Sequence, residues 1–170
     1  MHEENKYVRG RDLKLVYRSL LVPLGLILYF LIALPFNKKA RQAFRLRKQA
    51  VSERPPFLKN VFWIHASSGE FEYAKAVIRE LKAQSPGVKV IVTYSSPSYY
   101  QQINSFPGVD HAEPLPLDIQ APIRSFIKHF DPQALLISRT DLWPEVLWQC
   151  EKFHIPRILF SCSFPQKRMA

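Results

Sequence analysis

The stretch His65-Ala66-Ser67-Ser68-Gly69-Glu70 places a carboxylate behind a Ser-Ser-Gly corner. An apolar run, Val61 to Ile64, precedes it, and residues 71–82 follow with helical spacing. Glu70 is therefore expected at the first turn of a helix entered directly from a strand. Two roles suit that position. A carboxylate there interacts favourably with the helix dipole, with Ser67 or Ser68 as N-cap, a contribution of up to about 1 kcal/mol. A carboxylate at the carboxyl end of a strand can instead act as general base toward an acceptor hydroxyl. Gly69 would let the backbone approach a ligand closely. His65 closes the strand and reads as a packed or hydrogen-bonded core histidine.

A second candidate is Arg139-Thr140-Asp141-Leu142-Trp143-Pro144, in which an Arg and an Asp end an apolar run and Pro144 opens a helix. Arg139 and Asp141 could pair with each other, while Trp143 and Trp148 would pack the helix on a sheet. Asp118 reads as N-cap for a helix over 121–129. Cys150 and Cys162 form no C-x-x-C and have no neighbouring His pair, which points to a reduced compartment and away from a disulfide or zinc framework. G-x-G-x-x-G is absent, so the corner at Gly69 is not a dinucleotide fingerprint.

The elements that must position these residues alternate in type. Strands are predicted at 61–66, 89–94, 111–115, 134–138 and 157–161, and helices at 70–83, 98–105, 121–129 and 144–153. Runs such as Val90-Ile91-Val92 and Ala134-Leu135-Leu136-Ile137 are continuously apolar, as in strands covered on both faces. Strand and helix in alternation imply right-handed crossovers and a Rossmann-like, doubly wound parallel α/β sheet. Ligands of such sheets gather beyond the carboxyl ends of the strands, where the candidate residues fall.

Charge divides the chain unevenly. Residues 1–48 hold eleven of the 24 Lys+Arg and three of the 14 Asp+Glu, so +8 of the formal +10 lies in them. A basic groove on the remaining domain is thereby excluded, and nucleic acid with it. Within the basic segment, residues 19–37 carry no charge and lie between Lys14 and Arg18 on one side and Lys38, Lys39 and Arg41 on the other. A bilayer core needs about 20 apolar residues, so this run is expected to be a membrane helix, spanning or shallowly inserted. The expected domains are thus a basic N-terminal segment, 1–48, with an anchor at about 19–37, and an incomplete domain, 49–170.

Trp63-Ile64-His65-Ala66-Ser67-Ser68-Gly69-Glu70, Thr93, Pro116 with Asp118, and Asp141-Leu142-Trp143-Pro144 stand in an order that resembles the acceptor-side domain of the 3-deoxy-D-manno-octulosonic acid (Kdo) transferases. The resemblance implies the N-terminal half of a GT-B glycosyltransferase that moves Kdo from CMP-Kdo to a lipid A precursor in lipopolysaccharide synthesis, with inversion and without a metal or other cofactor. It implies Glu70 as base, and Ser67, Ser68, Gly69, Thr93, Arg139 and Asp141 as acceptor-binding residues. The family usually carries Glu where Arg139 and Asp141 stand. It also implies an inner-membrane location with the main domain in the cytoplasm. The nucleotide-sugar domain is expected to be absent, so a separate donor-domain chain would be the partner and the chain alone would be inactive. The alternative reading is a non-catalytic, membrane-anchored Rossmann-like module that binds a lipid or a protein.

Overall fold

The computed structural model describes residues 12–162. Lys6, Arg9 and Arg11 of the basic segment lie outside the described residues. The chain divides into two compact units, Met1–Gln42 and Ala43–Ala170. Arg45, Arg47 and Lys48 therefore belong to the second unit.

The first unit contains helix α1, Asp12–Phe36. Twenty-five residues at 1.5 Å each give about 37 Å, enough to cross a hydrocarbon core of about 30 Å. None of its apolar stretch is buried within the protein. Two π-helical stretches interrupt it, Tyr17–Leu21 and Tyr29–Ala33, and each is followed closely by a proline, Pro23 or Pro35. The N–H groups of Val22 and Leu34, just before the prolines, bond five residues back to Tyr17 and Tyr29. A proline ring lacks an N–H and crowds the carbonyl four residues back, so a widened turn relieves both defects without breaking the helix.

Asn37 ends α1 in an extended conformation and begins α2, Lys38–Ser52. Its Oδ1 accepts from the N–H of Lys39 at 2.9 Å and of Ala40 at 3.2 Å, which is an N-cap. The Arg41 guanidinium donates to the carbonyls of Leu34 and Pro35, satisfying the last turn of α1. Helix α2 was not among the predicted elements. Its Ala, Arg, Lys and Gln content favours a helix, but its charge masks a narrow apolar stripe.

In the second unit five parallel strands form one sheet in the order β3-β2-β1-β4-β5. They are β1 (Val61–His65), β2 (Lys89–Tyr94), β3 (His111–Pro114), β4 (Ala134–Ser138) and β5 (Arg157–Phe160). The helices are α3 (Phe71–Gln84), a short α4 (Tyr100–Asn104) after a 3-10 turn at Pro97–Tyr99, α5 (Gln120–Phe130) and α6 (Pro144–Lys152). The doubly wound parallel sheet is as expected from the sequence, with element ends shifted by a residue or so.

Strand alternation sorts the core into two layers. Val61, Trp63, Ile91, Leu135 and Ile137 face α5 and α6, where Phe126, Phe130, Val146 and Cys150 complete the packing. Ile64, Val90, Val92 and Leu136 face α3 and α4, against Phe71, Ala74, Ile78 and Ile103. The thiol of Cys150 is a core group, and burial pushes its pKa up to about 12. The chain winds outward from β1 to β3, then crosses back on the other face to β4. Strands β1 and β4 thus become neighbours, and the crevice between their carboxyl ends is the topological switch point.

Candidate functional site at the switch point

Strand β1 delivers His65 and then turns sharply. Ser67 is extended, Ser68 has φ 24°, and residues 68–70 form one 3-10 turn ahead of α3. The positive φ falls on Ser68 and not on Gly69, where an added Cβ would meet only the Tyr99 hydroxyl at an ordinary 3.9 Å. Neither serine caps the helix as expected, because the turn is closed by the backbone bond from Glu70 N–H to the Ser67 carbonyl at 2.9 Å. The Ser138 hydroxyl, fully buried at the end of β4, donates to the main-chain oxygen of Glu70 at 2.9 Å. This bond ties the turn to the strand across the switch point. The Glu70 carboxylate itself is half-buried and, among the described residues, has no hydrogen-bond or ion-pair partner.

At the same end of the sheet, a chain of buried polar groups crosses from β1 to β2 and back. The Trp63 indole N–H donates to Thr93 Oγ1 at 2.8 Å, and Thr93 Oγ1 lies 2.9 Å from His65 Nδ1. His65 Nε2 lies 2.9 Å from Asp141 Oδ2, which also accepts from the Ser95 hydroxyl at 3.2 Å. A carboxylate can only accept, so Nε2 carries the proton toward Asp141, and Nδ1 is left to accept from the Thr93 hydroxyl, which itself accepts from the indole N–H. The tautomer so assigned carries its proton on Nε2 and donates it to Asp141. Burial alone would raise the Asp141 carboxyl, but the His65 bond, followed by Ser95, outweighs it and holds the group below its ordinary 3.8.

Several expectations change here. Thr93, expected to bind the acceptor, is fully buried, with its hydroxyl bonded to Trp63 and His65. Asp141 pairs with His65 and not with Arg139. Arg139 adopts a left-handed conformation, φ 63°, and its exposed guanidinium carbon lies 5.7 Å from the centre of the Tyr73 ring. Asp118 caps α6 and not α5, accepting from the N–H groups of Glu145 at 3.2 Å and Val146 at 3.1 Å. The loop after β3 is thus fastened to the helix that follows β4. Ser67, Ser68, Gly69 and Glu70 share one turn, with Arg139 and Asp141 on the segment leaving the neighbouring strand. Among the described residues no three His, Cys, Asp or Glu side chains converge to hold a metal ion.

Sequence reasoning gave no role to Ser95 or Ser138, and took Trp63 only as part of the Trp63-to-Glu70 motif. Alternation puts Trp63 and His65 on one face of β1, which is a readable signal, but the register that brings Thr93 opposite His65 is not.

The sequence profile of the 3-deoxy-D-manno-octulosonic-acid transferase (kdotransferase) family matches residues 38–170. A probable mitochondrial 3-deoxy-D-manno-octulosonic acid transferase from Arabidopsis thaliana is 32% identical over 117 residues, covering 67% of this chain and 26% of that protein. A 3-deoxy-D-manno-octulosonic acid transferase from Haemophilus influenzae is 29% identical over 122 residues, covering 66% and 28%. The chain matches about a quarter of the length of these relatives.

Proposed function

The chain belongs to the 3-deoxy-D-manno-octulosonic acid (Kdo) transferase family, and on that premise we propose that its sheet unit is the acceptor-binding domain of an inverting Kdo transferase. The donor is CMP-Kdo and the acceptor a hydroxyl of a lipid A precursor. Glu70 takes the proton of that hydroxyl as its oxygen attacks the anomeric carbon of Kdo from the face opposite the phosphate. The carbon–oxygen bond to phosphate breaks, its electron pair leaves with CMP, and configuration inverts. Ser67, Ser68 and Gly69 line the attack site, Arg139 offers a cation to an acceptor phosphate, and Asp141, oriented by His65, accepts a hydrogen bond from a sugar hydroxyl. Helix α1 anchors the protein in the inner membrane with the sheet unit on the cytoplasmic side, where the basic residues after α1 would lie. CMP-Kdo binds a separate donor domain, and transfer requires it.

The observation that carries this reading is the Glu70 carboxylate, without a partner among the described residues, in a turn clasped by Ser138 across the switch point. A capping carboxylate would be bonded to backbone N–H groups of its own helix. The test is Kdo transfer by the chain together with a donor domain. Glu70→Gln should lower transfer by roughly 10²- to 10⁴-fold, the span of a positioned base, with melting unchanged. Near-normal transfer by that variant would overturn the assignment and favour a non-catalytic binding module.

A further inference from the structure

A groove in the sheet unit lies beyond the carboxyl end of edge strand β3 and is separate from the switch point. Phe44 and Val51 of α2 form one wall, and Pro114, Leu117 and Pro122 the other, around a volume of about 200 Å³. The lining is almost wholly apolar. The two charged groups at its inner end, Arg54 and Glu113, neutralise each other at 2.7 Å. An apolar cavity of about 150 Å³ takes up a benzene ring, so this one has room for a segment of hydrocarbon chain.

The rim has the opposite character. Arg47 and Lys48 both border the groove. Arg47 is held in place by its Nε bond to the Leu115 carbonyl at 2.9 Å. Lys48 is exposed and, among the described residues, pairs with no carboxylate. Residues 38–54 carry seven Lys and Arg against Glu53 alone. Val51 is 62% exposed at the mouth, so an apolar wall continues to the surface. A slot of this kind suits an acyl chain whose headgroup carries phosphate, because the methylenes leave water while the phosphate meets cations at the entrance.

Position identifies the lipid. The groove and Glu70 occupy the same end of the sheet, and β3 is two strands from β1, about 10 Å away. One molecule can therefore present a sugar hydroxyl at the switch point and an acyl chain at β3. Phe44 also follows Phe36, the last residue of the bilayer-length helix, by only eight residues. We infer that this groove seats an acyl chain of the phosphorylated glycolipid acceptor, with Lys48 and Arg47 at its phosphate; the inference rests on the acceptor reading above.

The test uses the full chain in phosphatidylcholine nanodiscs. Three photoreactive probes carry the same diazirine-tipped acyl chain: a bisphosphorylated, acylated glucosamine disaccharide, phosphatidic acid and phosphatidylcholine. Adducts mapped by mass spectrometry should fall on Val51, Leu117 or Pro122 and be most abundant with the glycolipid. Ser125→Trp, which fills the groove, and Val51→Asp, which charges its wall at an exposed position, should each remove them. Lys48→Gln should lower glycolipid labelling by about fivefold, the worth of one cation near an anionic surface. Adducts confined to α1, or equal yields from phosphatidylcholine, overturn the groove as a lipid seat. Equal yields from phosphatidic acid overturn the assignment to the acceptor. Labelling needs neither donor nor turnover, so its failure is distinct from failure of the Glu70 chemistry, which leaves the groove unchanged.

Discussion

Two buried polar networks sit on the same sheet and end differently. At the β3 edge, Arg54 grips both oxygens of Glu113, at 2.7 and 2.9 Å, while His111 reaches Glu113 at 3.1 Å. The Arg54 guanidinium also lies over the rings of Phe126 and Phe130, at 5.4 and 5.5 Å. Both partners are nearly inaccessible, at 7% and 2%. At the switch point the chain from Trp63 through Thr93 and His65 ends on Asp141, whose side chain is 24% exposed. The first network closes on itself and fastens the segment before β1 to the sheet. The second delivers an oriented carboxylate to the surface at the end of the sheet that also carries Glu70, whose carboxylate has no partner among the described residues. Burial with full satisfaction serves the fold, whereas burial that stops one group short of water leaves capacity for a ligand.

Breaking the closed network should have the larger effect on stability. Glu113→Ala leaves Arg54 buried without a counter-charge and should cost about 3–5 kcal/mol, read as a lowered melting temperature of the full chain in detergent. Replacing both partners, Arg54→Met with Glu113→Leu, should recover most of that loss, since two apolar groups need no compensation. A single variant that melts like the wild type would contradict the contrast.

Asp141→Asn should cost less, about 1–2 kcal/mol, because Asn still accepts from His65 but without charge. Acid sharpens the difference. Burial would raise Glu113, but its bonds to His111 and Arg54 hold it below its ordinary 4.5, and Asp141 lies below 3.8 for the reasons given above. A carboxyl depressed in the folded state contributes stability above its unfolded pKa and loses it as pH falls through the folded value. Both contributions should therefore be complete at neutral pH and decline from about pH 4.5 downward. Denaturant titrations across that range should show a shallower decline for Asp141→Asn than for the wild type.

The smallest effect is expected at Glu72, in the first turn of α3 and paired with Lys75 at 2.6 Å on the surface. Glu72→Gln should change stability by no more than about 0.5 kcal/mol and leave transfer untouched. It is the internal control for Glu70→Gln, and a large loss of transfer would show that any carboxylate in that turn matters.

The local pattern of apolar residues was enough to place all five strands and the helices between them, because periods of 2 and 3.6 are properties of a short stretch of chain. It also placed Glu70 just past a strand's end and the uncharged run, as far as Phe36, within a helix, since both follow from neighbours in sequence. Helix α2 escaped because its basic and polar positions read as the flank of the uncharged run and a polar linker, although its few apolar residues do recur with helical period. Partners were a different matter. Asp118 could be seen to cap a helix but not to choose α6 over α5, and Asp141 could be seen near a strand's end but not bonded to His65, 76 residues earlier. Those pairings depend on strand order and register. By crossing back to lay β4 against β1, the chain brings Ser138 to Glu70 and Asp141 to His65. Hydrogen bonds between groups so distant in sequence are decided by how whole strands align, which no local period encodes.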